Sequence, residues 1–75
     1  MRFYFDIKSE DGTDRDLDGI ELPSLEAARH EARKAAREMI AEMVLENQRI
    51  DGMRFEILNE CGQVLATIEF RELIH

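Results

Sequence analysis

Apolar residues recur three and four positions apart between residues 25 and 44, the only long stretch with this spacing. Because an α-helix turns once every 3.6 residues, the spacing predicts a helix with one apolar stripe. Ser24 is the predicted N-cap, and the stop signals after residue 46 predict an end near Glu46. The stripe comprises Leu25, Ala28, Ala32, Ala35, Ala36, Met39 and Met43, with Ile40 and Val44 beside it. Its alanine-rich half is predicted to lie close against a sheet.

Elsewhere apolar and polar residues alternate, which is the pattern of β-strands with one buried face. Residues 3–8 form the first predicted strand, which is central because it carries aromatic side chains on both faces. A weaker, acidic edge strand is predicted at residues 15–22. Residues 54–58 and 64–70 form two more strands, joined by a hairpin turn at residues 59–63. The predicted inward side chains are Phe3, Phe5, Ile7, Phe55, Ile57, Val64, Ala66, Ile68 and Phe70.

The predicted order is therefore two strands, a helix and two strands. Residues 9–14 read as a turn between the first two strands, and residues 71–75 as one helical turn. The predicted fold class is α+β, with a two-layer β-β-α-β-β arrangement: a four-stranded, mainly antiparallel sheet with one helix packed on one face. Residues 1–75 contain no linker or repeat, so we expect one small domain.

The sheet face opposite the helix is predicted to carry an apolar group, formed by Tyr4, Leu58, Leu65 and Thr67. A domain of 75 residues has a small core, so an uncovered patch favours docking of a protein partner or a second copy. The alternative is that these are ordinary surface side chains. We expect a non-catalytic protein-interaction or assembly module, with a homodimer through this outer face.

Composition narrows the function further. The formal net charge of −7 opposes general affinity for nucleic acid. The chain has no apolar run of membrane length and no charged-then-apolar leader, so we expect a cytoplasmic protein. Cys61 is the single cysteine, and neither it nor His30 and His75 has the partners of a nucleophilic or metal site. We therefore expect no enzymatic activity and no cofactor.

One acidic stretch has a metal-like spacing. Residues 14–19 read DRDLDG, so Asp14, Asp16 and Asp18 alternate before a glycine, as in the first half of an EF-hand calcium loop. The second half departs from that loop, because Leu25 stands where a bidentate glutamate is needed. An acidic cation-binding module using these three aspartates is the alternative function, and a solvated edge strand is the simpler interpretation.

Four runs of the sequence resemble an uncharacterised family of short bacterial domains that is frequent in rhizobia and related alphaproteobacteria. They are residues 3–7 (FYFDI), 18–29 (DGIELPSLEAAR), 51–52 (DG) and 62–65 (GQVL). The resemblance covers nearly the whole chain. That family carries no assigned activity, cofactor or catalytic residue, so the resemblance implies length, fold and a bacterial cytoplasmic origin.

A second resemblance concerns the junction between the acidic strand and the helix. Residues 19–28 (GIELPSLEAA) are similar to antitoxins of the HicB type, in which a strand leads into such a helix. This similarity implies an antitoxin-like form of the interaction module. The sequence lacks the appended DNA-binding segment that is usual in many full antitoxins.

Overall fold

A computed structural model describes residues 1–74 of the chain, and it has two layers. The elements are β1 (Arg2–Ser9), β2 (Gly12–Asp14), β3 (Ile20–Glu21), α1 (Leu25–Leu45), β4 (Arg54–Leu58), β5 (Val64–Glu69) and a 3₁₀ helix (Phe70–Leu73). The strands form one antiparallel sheet in the order β2-β1-β4-β5, and β3 also pairs with β1. The α+β class with one helix and an antiparallel sheet is confirmed. Within residues 1–74 the sheet has five strands, because two short strands, β2 and β3, pair with β1 in place of the single acidic strand that was predicted.

β1 lies inside the sheet, as its aromatic residues predict. Its end pairs with β2, its start pairs with β3, and β4 runs along its length. The register with β4 sets Tyr4 opposite Leu58 and Ile7 opposite Phe55. Because successive side chains of a strand point to opposite faces, Phe3, which is fully buried, lies toward the helix while Tyr4 lies on the outer face.

The helix α1 has a defined hydrogen-bonded cap at each end. The Ala27 N–H donates to Ser24 Oγ at 3.1 Å, which satisfies one free donor of the first turn. After the last turn, Asn47 adopts a left-handed φ of 56°, and the Gln48 N–H donates to the Met43 carbonyl at 2.8 Å. This arrangement is a Schellman motif. The predicted cap and the predicted end are both confirmed.

The core lies between α1 and the inner face of the sheet. Ala28, Ala32 and Ala36 are fully buried, so the helix backbone approaches the strands closely. On the sheet, the ring of Phe55 lies between two other aromatic rings, with centroid distances of 6.4 Å to Phe5 and 5.5 Å to Phe70. The remaining core residues are Phe3, Ile57, Ala66 and Ile68. Both predicted apolar faces therefore meet in one cluster.

The predicted strand at residues 15–22 is wrong in its position. Pairing with β1 occurs at Gly12–Asp14 and Ile20–Glu21, and residues 15–19 between them form a loop. The hairpin closes earlier than predicted, since Ser9 already pairs with Gly12. The strand is interrupted because the Asp16 side chain of the loop accepts the Phe5 N–H of β1, which a paired strand residue would otherwise accept.

One side chain predicted to face inward is exposed, and so is one predicted to lie beside the helix stripe. The ladder between β4 and β5 has a bulge after Ile57, so that Leu58 pairs with Val64. Val64 is 51% exposed, because the extra residue in β5 changes the alternation at the start of the strand. Val44, predicted beside the helix stripe, is 62% exposed in the last turn of α1.

The remaining local predictions concern two turns. At the hairpin, the Cys61 and Gln63 N–H groups donate to Asn59 Oδ1, each at 2.9 Å, and Gly62 has a left-handed φ of 84°. The predicted hairpin turn is thus confirmed. The predicted helical turn near the end is the 3₁₀ helix, which begins one residue earlier, and His75 lies outside the described residues. Within residues 1–74, no helix is long and apolar enough to cross a membrane.

Candidate functional site

The outer face of the sheet holds the residues predicted to form an interface. Tyr4 and Leu58 are cross-strand neighbours and both are half-buried. Thr67 is exposed but lies opposite Glu56, a charged residue. Leu65 is skipped by the ladder at the bulge, is half-buried and packs against the core cluster. The structure therefore brings Tyr4 and Leu58 together as the apolar part of this face, named here the Tyr4/Leu58 end.

Paired charges occupy the middle of the outer face. Glu56 forms ion pairs with two basic side chains: Lys8 Nζ lies 3.3 Å from Glu56 Oε1, and Arg54 Nε lies 3.5 Å from Glu56 Oε2. The Glu56 side chain is only 13% exposed. Sequence reasoning missed this network. The alternation that exposes Leu58 also puts Arg54 and Glu56 on the same face, but only the register with β1 shows that Lys8 joins them.

Asp6 lies directly opposite Glu56 and is 7% exposed, the most buried charged residue of the outer face. Its Oδ1 accepts the Asp16 N–H at 3.0 Å. Within residues 1–74, Asp6 forms no ion pair. A carboxylate with little access to water is destabilised unless it is hydrogen-bonded or paired with a cation. Asp6 therefore has a partner for one oxygen and no neutralising cation.

The Asp16 side chain makes hydrogen bonds in the gap between β2 and β3, where no strand pairs with β1. Its Oδ2 accepts the Phe5 N–H, and its Oδ1 accepts the Asp18 and Gly19 N–H groups, each at 3.1 Å. Burial by itself raises the pKa of Asp16, but the three N–H donors from Gly19, Phe5 and Asp18 outweigh it and hold the pKa below its ordinary value. One side chain thus ties the loop at residues 15–19 to the edge of β1.

The same loop approaches Tyr4 closely at Gly19. Gly19 has a left-handed φ of 70°, and a Cβ added there would lie 2.9 Å from Tyr4 Cε2 and 3.0 Å from the Phe3 carbonyl oxygen. Any larger residue would therefore displace the Tyr4 ring or the loop. The glycine lets the loop lie against the outer face.

A cleft of about 240 Å³ lies on the outer face between this loop and the hairpin turn at residues 59–62. Tyr4, Leu58 and Asp6 line it, together with Arg15 and Glu60 from its two sides. Next to them, Leu17 is 85% exposed. The cleft therefore combines an aromatic ring, an aliphatic side chain and several charged groups at the Tyr4/Leu58 end.

A larger depression of about 490 Å³ lies near the C-terminal end of α1. Glu10, Asp11 and Asp51 bring carboxylates to it, and Arg49 NH2 lies 2.9 Å from Asp51 Oδ2. The hydrogen bond to Asp51 and the charge of that carboxylate raise the pKa of Arg49. These groups are exposed and already include an ion pair, so we take the outer-face cleft as the better candidate site.

The residues weighed for metal or covalent chemistry lie apart from one another. Asp14 is exposed on β2 and Asp18 is exposed in the loop, while both oxygens of Asp16 accept backbone N–H groups. In the part of the chain that the structure describes, no three His, Cys, Asp or Glu side chains come together as metal ligands. Cys61 is exposed in the hairpin turn, and His30 is exposed on α1. The cation-binding alternative stays a prediction.

Residues 2–71 match the family model of a domain of unknown function, DUF6894. No curated protein and no solved structure is significantly similar to the chain. The match runs from β1 into the 3₁₀ helix, so it includes every residue that lines the cleft.

Proposed function

We propose that this chain, which belongs to the DUF6894 family of domains of unknown function, is a non-catalytic protein-interaction module. Its docking surface is the Tyr4/Leu58 end of the outer face. The main support for this proposal is the pair of Tyr4 and Leu58, which are half-buried and line a cleft together with the exposed Leu17. Apolar groups clustered at one place on a small domain are typical of contact surfaces.

A second copy of the chain is the partner we propose first. A core built from one helix and one sheet is small, and association buries further apolar surface. Two-fold pairing lets each copy offer the same patch to the other. The resemblance to HicB-type antitoxins supports a role in binding another protein, and the resemblance to short bacterial domains supports a bacterial cytoplasm as the location.

Sedimentation of the wild type and of Leu58→Lys tests this proposal. We expect a dimer at high micromolar concentration in the wild type and a monomer in the variant, because a lysine at this position would have to be desolvated in the interface. Leu65→Lys is a poorer choice, since Leu65 packs against the core.

Leu45→Lys is the matched control. Leu45 is 84% exposed in the last turn of α1, in the other layer of the fold, and the same charge change there should leave the dimer intact. Circular dichroism of both variants shows whether each is folded. A wild type that stays monomeric at high micromolar concentration contradicts the proposed dimer, as does a dimer that persists in a folded Leu58→Lys variant.

A further inference from the structure

The cleft at the Tyr4/Leu58 end holds a charge that the chain itself does not neutralise. Asp6 is 7% exposed, and the only hydrogen bond to its carboxylate within residues 1–74 is the one from the Asp16 N–H to Oδ1. Every side-chain nitrogen or oxygen in these residues that is closed to solvent has a hydrogen-bond partner. Asp6 Oδ2 accepts no hydrogen bond within residues 1–74, so it is not closed to solvent. It therefore retains access to the cleft that Asp6 lines. An almost buried carboxylate therefore presents one free oxygen to a cavity.

The lining of the cleft favours a cation over an anion. Three carboxylates, those of Asp6, Asp16 and Glu60, line it against one guanidinium, that of Arg15. The Tyr4 ring adds a surface that attracts cations through its π electrons. Leu58 adds an aliphatic surface of the kind that covers the methylene stem of a lysine or arginine.

We propose that the cleft binds a lysine or arginine side chain of a partner protein. Its cationic group pairs with Asp6, and its stem lies between Tyr4 and Leu58. This rests on the proposed function, because it states the chemistry of a partner that docks at the same end of the outer face. The exposed Leu17 beside the cleft supplies contact area for the residues that flank the bound side chain.

The basic side chain comes from a different protein, since within residues 1–74 the cations of the outer face are already engaged, except for Arg15, which itself lines the cleft. Lys8 and Arg54 both pair with Glu56, and Arg2 Nε lies 3.6 Å from Glu21 Oε1. The net charge of −7 also favours a basic protein as the source of this side chain. A partner bound in this way would compete with the proposed dimer for the same surface.

The test is a nuclear magnetic resonance titration of the full chain with N-acetyl-arginine amide, at a concentration where the protein is monomeric. N-acetyl-citrulline amide is the matched probe, because it has nearly the same shape without the charge. We expect the arginine probe to shift the signals of Tyr4, Asp6 and Gly62. The citrulline probe should bind about tenfold more weakly, as a charge-assisted hydrogen bond is lost.

Three variants locate the binding group. Asp6→Asn keeps the oxygen that accepts the Asp16 N–H and should weaken the arginine probe about tenfold. Glu60→Gln changes an exposed turn residue, so it should leave the domain folded, and it should weaken binding of the arginine probe by a smaller factor. Asp14→Asn makes the same charge change as Asp6→Asn at an exposed position outside the cleft and should have no effect.

Equal binding of the two probes, or equal weakening by Asp6→Asn and Asp14→Asn, overturns the inference. Sedimentation of the same samples separates it from the proposed dimer. A monomeric wild type that binds the arginine probe at the cleft contradicts the dimer alone, whereas a dimer whose monomer binds both probes equally contradicts the inference alone. A wild-type dimer that is lost in both Asp6→Asn and Arg15→Gln would identify a second copy as the source of the cation, against our assignment.

Discussion

The part of the inner sheet face that α1 covers is apolar, whereas the outer face carries paired charges across its middle. Beneath α1, the buried side chains include the three alanines and the aromatic rings around Phe55, and within residues 1–74 no buried side chain on this face is polar. On the other side, Glu56 and Asp6 are nearly as inaccessible, yet both are carboxylates. A face can therefore be largely closed to water and still carry charge: Glu56 pairs with two cations, whereas Asp6 has one oxygen hydrogen-bonded and the other open to the cleft.

The two faces also differ in what determines them. The inner face is stabilised by close packing and by the apolar area that it buries. A charged side chain placed there would destabilise the fold. The outer face depends on a few directional contacts, such as the pairing of Lys8 with Glu56 and the N–H groups that Asp16 accepts. Substitutions on the inner face should therefore have larger and less specific effects than substitutions on the outer face.

The largest expected effect is that of Ala36→Asp on the inner face. A carboxylate at this fully buried position has no partner, and the free energy of unfolding should fall on the order of several kcal/mol, enough to unfold a small domain. Ala32→Asp should do the same. Thermal melts followed by circular dichroism measure it, with Ala41→Asp, an exposed position of the same helix, as the control. A melting temperature that does not change in Ala36→Asp would show that the buried face is assigned wrongly.

The next effect concerns the loop that borders the outer face. Asp16→Ala removes the acceptor of three N–H groups, including that of Phe5 in the central strand, and should lower the stability by about 1–3 kcal/mol. Asp14→Ala, at an exposed neighbouring position, should change it by less than about 0.5 kcal/mol. Urea denaturation compares the two. Equal effects would mean that Asp16 has no special role in the loop.

A pH dependence follows from the same carboxylate. The pKa of Asp16 is lower in the folded protein than its ordinary value of 3.8, so the ionised group stabilises the fold above pH 3.8. That contribution is lost as the pH falls through the folded pKa. We expect the wild type to be more stable than Asp16→Asn near neutral pH, and the gap to narrow below pH 3.8. Melts of both proteins over this range test it, and a gap that widens on acidification contradicts it.

The smallest expected effect is that of calcium. Millimolar calcium should leave the melting temperature unchanged, because Asp16 accepts backbone N–H groups and Leu25 occupies the position where an EF-hand closes. Calorimetric titration is the measurement. Calcium binding at submillimolar concentration that disappears when Asp16→Asn and Asp18→Asn are combined would support the cation-binding alternative.

The inner face was predictable from the sequence because its signals are local. The spacing of Ala28, Ala32 and Ala36 predicts the buried stripe, Ser24 the helix start, and the residues around Gly62 the hairpin turn. Each signal depends on residues that are close to one another in the sequence. The alternation at residues 3–8 was strong enough to identify the central strand as well.

The candidate site was predictable only in part. Tyr4 and Leu58 lie where alternation puts them, but their pairing depends on the register between strands that are far apart in the sequence. The same register determines the network around Glu56. The role of Asp16 was hidden, because its spacing to Asp14 and Asp18 resembles a calcium loop, whereas its carboxylate accepts backbone donors in the structure. The bulge at Leu65 has no signal in the local sequence.

The pairing of β1 with β4 also has a consequence for synthesis. β1 leaves the ribosome before the other four strands described, and the strand that lies along it, β4, follows only after the whole of α1. Until then, Phe3, Phe5 and Ile7 have only the short β2 and β3 beside them, and long-range pairing of this kind forms slowly. The aromatic strand β1 therefore lacks β4 while residues 10–53 are synthesised, and we expect it to be open to chaperone binding during that interval.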